Sequence, residues 1–393
     1  MINQEAYHYG SQRSAIRELF EYGNRQRALV GKENVFDFSL GNPSVPAPTA
    51  VQKAFSEVLE ENDAVSLHGY TSAQGAPSCR QAIAASMTRR FNMEIRPERL
   101  YMTCGAAASL TACFGALTVN SDTEFIAIAP FFPEYRVFAE VLGAKLRVVP
   151  MDEKGCQIDF DALRALLSEN TQGVIVNSPN NPSGVVYSEG TLQTLASILT
   201  EASEKYGHPI YLISDEPYRE LVYSGEEPPF IPSVYKDTLV CYSYSKSFSL
   251  PGERIGYVCV PDCVTDGDEV YAAVAGAARR FGYVCAPSLL QKVVEKCVDV
   301  MPDLTVYREN RDLLYSALTS YGYDCVHPDG AFYLFVRSPK GDGAAFSERA
   351  KAKNLLVVPG AGFGAKDYIR VAYCVDTDMI KRALPVFRAL IEE

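Results

Sequence analysis

Short apolar runs alternate with helical patterns through the middle of the chain, and this alternation constrains the fold more than any other feature. Seven runs have the length and composition of buried strands, at residues 99–104, 124–130, 144–150, 173–179, 210–214, 238–243 and 255–260. Helical patterns follow the first four runs, and one of them has Ser188 as a candidate N-cap and stops at Gly207. Strands that are apolar throughout and separated by helices indicate an α/β fold with a mostly parallel sheet sandwiched by helices.

The length of 393 residues and the pattern near the chain ends predict two domains. We assign residues 45–287 to a large domain that contains the parallel sheet. From about residue 288 a long helical pattern begins, and it is followed by strand patterns at 332–337, 355–360 and 368–373. We predict that residues 1–44 and 288–393 together form a smaller α+β domain.

Charge and composition argue against several classes of protein. The formal net charge is −11 and no run of five basic residues occurs, which argues against a nucleic-acid-binding protein. The sequence contains no run of 18 or more apolar residues, so we expect no membrane span. The first residues lack the apolar core of a signal peptide. The eleven cysteines are scattered without a CxxC pair, so we expect reduced thiols in a cytoplasmic protein and no metal site.

Small, aromatic and polar residues follow five of the predicted strands at the point where each strand ends. In an open parallel sheet the carboxyl ends of the strands share one edge, and ligands bind there. We therefore predict that these residues line one crevice. They are Gly105, Ala106 and Ala107 after the first strand, Phe132 after the second, Asn181 after the fourth, Asp215 and Tyr218 after the fifth, and Ser243, Ser245 and Lys246 at the end of the sixth.

These residue types suit a flat, phosphorylated pyridine aldehyde. The primary amine of Lys246 would condense reversibly with the aldehyde to form a Schiff base, and Asp215 would keep the ring nitrogen protonated. Asn181 and Tyr218 would hydrogen-bond the phenolic oxygen of the ring, and Phe132 would stack on its face. For Phe132 the alternative is an ordinary core residue.

A phosphate would lie on the backbone N–H groups of Gly105, Ala106 and Ala107, because the start of a helix favours an anion. Ser243, Ser245 and Arg254 would add hydroxyl and guanidinium donors. For residues 105–107 the alternative is a plain helix start, since alanine promotes helix anyway. The serines and the arginine grouped around Lys246 therefore predict a phosphate site beside the amine.

Six short motifs occur in order along nearly the whole chain, from about residue 35 to residue 375. They are Gly41-Asn42-Pro43; Pro130-Phe131-Phe132-Pro133-x-Tyr135; Asn181-Pro182-Ser183-Gly184; Asp215-x-x-Tyr218; Ser243-x-x-Lys246 with Arg254-Ile255-Gly256-Tyr257; and Pro359-Gly360-x-Gly362-Phe363-Gly364 before Ile369-Arg370. This set resembles the fold-type I pyridoxal-phosphate enzymes, specifically the class I and II aminotransferases of the aspartate aminotransferase type. The resemblance implies pyridoxal 5′-phosphate as cofactor and a ping-pong transfer of an amino group between an α-amino acid and a 2-oxo acid.

The resemblance also implies roles for individual residues. Lys246 forms the Schiff base and carries the proton. Arg370 grips the α-carboxylate of the substrate, assisted by Asn181 and the backbone of Gly41. Tyr70 matches a tyrosine that reaches the cofactor phosphate of the neighbouring subunit, which implies a homodimer with shared active sites.

The sequence leaves the amino donor open. Ala107 stands where similar aspartate aminotransferases often carry a lysine that meets a distal carboxylate. Arg280 precedes Pro287 by seven residues, the spacing of an arginine that another branch supplies from the partner subunit. Arg280 would then read the distal carboxylate of aspartate or glutamate. The alternative is a solvated arginine at the end of a helix.

We also considered functions other than transamination for this sequence. A C–S lyase or another β-eliminating enzyme would share the fold, although the Arg254-Ile255-Gly256-Tyr257 segment favours an aminotransferase. A cofactor-binding regulator would need a DNA-binding segment, for which the chain has no room. Residues 360–364 resemble a dinucleotide fingerprint, but they precede a late strand instead of following the first one, so we interpret them as a substrate-side loop.

Overall fold

The computed structural model describes residues 1–11, 14–152 and 155–393. The strands are β1 (Phe36–Asp37), β2 (Leu100–Thr103), β3 (Glu124–Ile128), β4 (Lys145–Val149), β5 (Thr171–Asn177), β6 (Tyr211–Asp215), β7 (Thr238–Ser243), β8 (Gly256–Cys259), β9 (Asp324–Val326), β10 (Tyr333–Arg337), β11 (Leu355–Leu356), β12 (Val358–Pro359) and β13 (Tyr368–Ala372). The α-helices are α1 (Gln4–Ser11), α2 (Ala15–Val30), α3 (Thr49–Glu61), α4 (Ala64–Leu67), α5 (Pro77–Phe91), α6 (Ala106–Leu117), α7 (Glu134–Glu140), α8 (Phe160–Leu166), α9 (Glu189–Tyr206), α10 (Ile231–Val234), α11 (Tyr244–Ser247), α12 (Gly267–Arg280), α13 (Ser288–Cys297), α14 (Thr305–Tyr321), α15 (Gly343–Ala352) and α16 (Thr377–Glu392).

All seven strands predicted for the middle of the chain form one sheet, in the order β2-β8-β7-β6-β5-β3-β4. Strand β8 is antiparallel to both of its neighbours, and the pairs from β7 to β4 are parallel. Six strands therefore point the same way and β8 alone is reversed. The predicted α/β class with a mostly parallel sheet is confirmed.

Helices cover both faces of this sheet. Successive side chains of a strand point to opposite faces, and because these strands are apolar throughout, both faces need to be covered. On one face Val174 and Val176 of β5 pack with Leu195 and Leu199 of α9. On the other face Ile175 packs in a cluster that includes Phe114 of α6 and Val274 of α12. Each fully buried side chain of this size contributes about 1.5–3 kcal/mol to folding.

The ends of α9 confirm the predicted caps. The Ser188 hydroxyl accepts a hydrogen bond from the backbone N–H of Thr191, and Gly207 ends the helix in the left-handed region at φ 76°. The helix therefore begins and ends where its sequence predicts.

A second sheet forms from the C-terminal third of the chain, in the order β12-β13-β10-β9. A separate parallel pair joins β1, near the N-terminus, to β11. The long helix expected from residue 288 is wrong in one respect, because α13 and α14 are separated by residues 298–304, which include Pro302. Proline removes a backbone donor and clashes with the preceding turn, so one continuous helix is disfavoured there. Strand β9 was not predicted.

The division into two domains at residues 44/45 and 287/288 stays a prediction. Helix α13 carries Leu290, Val293 and Val294 into the same apolar cluster as Val51 of α3 and Ile83 of α5. This packing argues for moving the second boundary to the segment after α13. In the described ranges no helix is long and apolar enough to cross a membrane.

Candidate active site

A cavity of about 280 Å³ lies at the edge of the seven-stranded sheet where the six co-directional strands end. Twelve residues predicted from the sequence line it: Gly41, Ala106, Ala107, Phe132, Asn181, Asp215, Tyr218, Ser243, Ser245, Lys246, Arg254 and Arg370. Arg254 reaches this edge although it precedes its strand, because β8 is reversed and its amino end lies beside the carboxyl ends of the others. The structure therefore places these residues around one cavity at the strand ends.

Lys246 lies on the one-turn helix α11, directly after β7. Its Nζ donates a hydrogen bond to the carbonyl oxygen of Gly41 over 2.7 Å. Burial lowers the pKa of the Lys246 ammonium to about 8, and the positive charges of Arg370 and Arg254 act in the same direction. Near neutral pH this amine is therefore close to releasing its proton.

Asp215 is the last residue of β6, and its carboxylate is buried. Oδ2 accepts a hydrogen bond from the Tyr135 hydroxyl over 2.5 Å, whereas Oδ1 has no partner among the described residues. Burial raises the pKa of Asp215 to about 7, and the Tyr135 hydrogen bond opposes that rise. An unpaired buried carboxylate oxygen at a cavity fits a cationic ring nitrogen, which would compensate its burial.

The start of α6 and the Lys246 segment together form a cradle with the chemistry of an anion site. Gly105 adopts φ 87°, and a Cβ there would lie 2.8 Å from Nη2 of Arg254. The Arg254 Nη1 donates to the Ser245 hydroxyl over 3.4 Å, and the hydroxyls of Ser245 and Ser243 are 2.8 Å apart. The first N–H groups of a helix have no partner within it, so those of Ala106 and the next residue are free for a ligand.

Arg370 is buried in the middle of β13 and faces the cavity. Its Nη1 donates to Oδ1 of Asn181 over 3.0 Å, and its Nη2 donates to the carbonyl oxygen of Ser39 over 2.6 Å. Its Nε has no hydrogen-bond partner in the described part of the chain. The rings of Tyr333 and Phe363 lie 4.6 and 5.1 Å from the guanidinium carbon. A buried guanidinium without a carboxylate partner has the chemistry to bind one from a substrate.

Asn181 and Phe132 complete the arrangement around Asp215. The backbone N–H of Asn181 donates to Oδ1 of Asn177 over 2.7 Å, and Nδ2 of Asn177 donates to the carbonyl oxygen of Asp215 over 2.8 Å. The Phe132 ring is half-buried, lines the cavity and lies edge-on to Tyr135 at 5.7 Å. A planar ligand over Asp215 would therefore have an aromatic wall beside it.

Sequence reasoning missed several residues that line the cavity or support the residues lining it. Tyr135 donates to Asp215, Asn177 links β5 to β6, and the Tyr333 hydroxyl is 2.9 Å from that of Tyr218. Ile16 of α2 also lines the cavity. Tyr135 belongs to a motif already recognised, but Tyr333 stands in a run of apolar residues that indicates only a core strand.

Three predicted residues do not line the cavity of the chain. Gly105 lies behind it, in contact with Arg254 as described above. Tyr70 is 96% exposed, and Arg280, at the end of α12, is exposed as well. The described residues also contain no group of three or more His, Cys, Asp or Glu able to hold a metal ion.

Comparison with known proteins identifies the family. The sequence pattern of the aminotransferases of class I and II matches residues 33–387. A crystal structure of an aminotransferase from Eubacterium rectale superposes with a TM-score of 0.98 at 54% identity, over 100% of this chain and 98% of that one. The aspartate aminotransferase of Thermus thermophilus with maleate superposes with a TM-score of 0.85 at 26% identity, over 96% and 97% of the two chains.

A curated relative agrees with the structural matches. A probable aspartate/prephenate aminotransferase of Thermus aquaticus is 30% identical over 361 residues, which is 90% of each chain. Nothing in these matches favours the C–S lyase that the sequence left open. The chain belongs to the class I and II aminotransferases, a family of pyridoxal-phosphate-dependent enzymes that transfer amino groups between amino acids and 2-oxo acids.

Proposed function

We propose that the cavity of this chain binds pyridoxal 5′-phosphate and that the residues lining it have the roles predicted from the sequence. Lys246 would hold the aldehyde as a Schiff base, Asp215 would pair with the ring nitrogen, and Arg254 with the two serines would bind the phosphate. The bound ring would supply an electron sink for the substrate carbanion. The unpaired Oδ1 of Asp215 and the open cradle at Gly105 support this fit.

The protein's own contribution is orientation and proton transfer. Arg370 would fix the substrate α-carboxylate through its guanidinium fork, beside the amide of Asn181. The Lys246 amine, when it is not bound to the aldehyde, would take the α-proton from the substrate, since a pKa of about 8 leaves a neutral fraction at working pH. Tyr218 and Asn181 would hydrogen-bond the phenolic oxygen, and Phe132 would lie against the ring.

The observation that carries the proposal is the convergence of an amine, an acid and two arginines on one cavity. The test adds pyridoxal 5′-phosphate to the purified chain and records the visible absorbance, then assays a panel of amino donors with 2-oxoglutarate. We expect a visible band and formation of a 2-oxo acid only when an acceptor is present. Release of ammonia and pyruvate without an acceptor would instead indicate a lyase.

We further propose a homodimer in which each subunit completes the site of the other with Tyr70 and Arg280. Both side chains are exposed in the single chain, which is consistent with a role at a neighbour's site. Among the described residues the cavity of one subunit is lined by three cations, Lys246, Arg254 and Arg370. All three already have roles, so a second substrate carboxylate would need an added cation. Two relatives bear the name of aspartate or aspartate/prephenate aminotransferases, which supports aspartate as a donor.

Replacing Arg280 with alanine tests this source of specificity. We expect kcat/KM for aspartate to fall at least about 30-fold, because a hydrogen-bonded charge is lost, while turnover of alanine changes little. Arg279→Ala is the matched control, since Arg279 is the adjacent exposed arginine of the same helix. Equal losses for both donors would show that Arg280 does not read a distal carboxylate.

Mixed dimers test the sharing of sites. A subunit with Lys246→Ala and a subunit with Arg280→Ala would each be defective with aspartate. A hybrid of the two would contain one site with both residues intact, so activity with aspartate should return on subunit exchange. If the mixture stays as inactive as its components although hybrids form, the residues act within one subunit.

A further inference from the structure

Tyr333 joins two groups of the candidate site that come from different sheets. It begins strand β10 and is fully enclosed, at 2% exposure. Its hydroxyl is 2.9 Å from the Tyr218 hydroxyl, and its ring lies 4.6 Å from the guanidinium carbon of Arg370. One side chain therefore contacts both the phenol predicted to meet the cofactor and the guanidinium predicted to meet the substrate.

The Tyr333 ring is packed against the backbone of Gly41. A Cβ built at Gly41 would overlap the Tyr333 hydroxyl, so the backbone and the phenol are in close contact. The carbonyl oxygen of Gly41 is also the acceptor of the Lys246 amine. Glycine is required at residue 41 for this approach, and the contact fixes the Tyr333 hydroxyl next to Tyr218.

The hydroxyls of Tyr218 and Tyr333 share one hydrogen bond, in which either of them could be the donor. Within the described ranges each hydroxyl has the other as its one hydrogen-bond partner. Both residues line the cavity, and Tyr333 is also packed against Gly41 and Arg370. Buried hydroxyl groups use their donors. A hydrogen bond donated by Tyr333 to Tyr218 would leave the Tyr218 proton for the ligand.

We propose that Tyr333 is a positioning residue with two separable functions. Its hydroxyl keeps Tyr218 oriented as a donor toward the cofactor's phenolic oxygen, and its ring holds the Arg370 guanidinium in place for the substrate carboxylate. This inference rests on the proposed function. Neither function requires Tyr333 to touch the reacting atoms.

The hydroxyl function is tested with Tyr333→Phe in the cofactor-loaded enzyme. A donor to the phenolic oxygen weakens its hold on the neighbouring Schiff-base proton, and a chain of hydrogen bonds strengthens each donor. We expect the pH midpoint of the visible band to rise by about half a pH unit, the equivalent of one modest hydrogen bond. Tyr218→Phe should raise the midpoint further. The double variant should equal Tyr218→Phe alone, because Tyr333 acts through Tyr218.

Tyr323→Phe is the matched control for loss of a buried hydroxyl. Tyr323 lies in the same apolar cluster as Tyr333, and its hydroxyl donates to the carbonyl oxygen of Phe387 over 2.8 Å. Its removal should lower the melting temperature as Tyr333→Phe does, but the midpoint of the visible band should not move.

The ring function is tested by comparing Tyr333→Leu with Tyr333→Phe. Phenylalanine keeps an aromatic face for Arg370 and leucine does not, so KM for the amino donor should rise about tenfold in the leucine variant and less than about twofold in the phenylalanine variant. The midpoint shift should occur in both variants.

The results separate this inference from the proposed function. A wild-type protein without a visible band would refute cofactor binding itself. A normal wild-type band whose midpoint is unchanged in Tyr333→Phe, or is shifted equally in Tyr323→Phe, would refute the role of the hydroxyl. Equal KM values for the leucine and phenylalanine variants would refute the role of the ring.

Discussion

Lys246→Ala should yield a folded protein that shows no Schiff-base absorbance with pyridoxal 5′-phosphate and that loses at least about 10⁴-fold in turnover, the scale seen when a covalent catalyst is removed. The reason is that Lys246 is the one lysine among the described residues that line the cavity, and it would serve as both the covalent anchor and the base. The measurements are the visible spectrum and single-turnover kinetics with a preferred amino donor.

Lys246→Arg provides the sharper comparison, because it keeps a positive charge but cannot condense with an aldehyde. We expect it to lack the visible band just as the alanine variant does. If either variant kept the band and the activity, another amine would be the anchor, and the assignment of the whole cavity would fail.

Asp215→Asn should lower turnover by about 100- to 1000-fold, the cost of removing one member of a buried charge pair. Asparagine preserves the shape and the hydrogen bond from Tyr135, but it has no charge to stabilise a protonated ring nitrogen. Steady-state kinetics measure the loss, and Tyr135→Phe should have a much smaller effect because the carboxylate remains. A fully active Asp215→Asn enzyme would show that ring protonation is not the function of this residue.

Asp215→Asn should lower turnover but should make the cofactor-free protein more stable than the wild type as the pH rises. Burial raises the pKa of Asp215 from 3.8 to about 7, so the folded chain binds this proton more tightly than the unfolded chain. The stability from this group is complete below pH 3.8 and is lost as the pH rises through 7.

Between pH 5 and pH 8 the cofactor-free wild type should therefore lose about 2–3 kcal/mol that Asp215→Asn does not lose. Chemical denaturation at several pH values measures the difference. Parallel curves for the two proteins would contradict the assignment of a buried, proton-binding Asp215. Adding cofactor should flatten the wild-type curve, since the ring cation would then compensate the carboxylate.

Much of the fold and the site followed from local patterns. The seven central strands are apolar throughout and lie between clear helical or turn segments, and the strand-end rule brings Asp215 and Lys246 together without any knowledge of strand order. The rule did not explain Arg254, because the reversal of β8 depends on pairing between distant segments. Arg254 was predicted instead from its place in the sequence, close to Lys246 and the serines around it.

Residues that act through other residues were not predictable in this way. Tyr333 stands in a strand whose next three residues are all buried, so its pattern indicates core and conceals its hydroxyl. Its partner Tyr218 is 115 residues away in sequence, and their pairing depends on how one sheet faces the other. The break between α13 and α14 was readable from Pro302, but the helical periodicity on either side masked it.

The reversal of β8 has a consequence for how the chain can vary in length. Ser243 and Gly256 are paired across β7 and β8, so the Lys246 amine and the Arg254 guanidinium sit on one closed loop whose two ends are pinned in the sheet. The proposed covalent anchor and the proposed phosphate ligand are thus eight residues apart on this loop. Each inserted or deleted residue would displace one anchor by up to about 3.3 Å, more than a phosphate contact tolerates. Natural variants of this enzyme should accumulate indels elsewhere on the rim and leave this interval untouched.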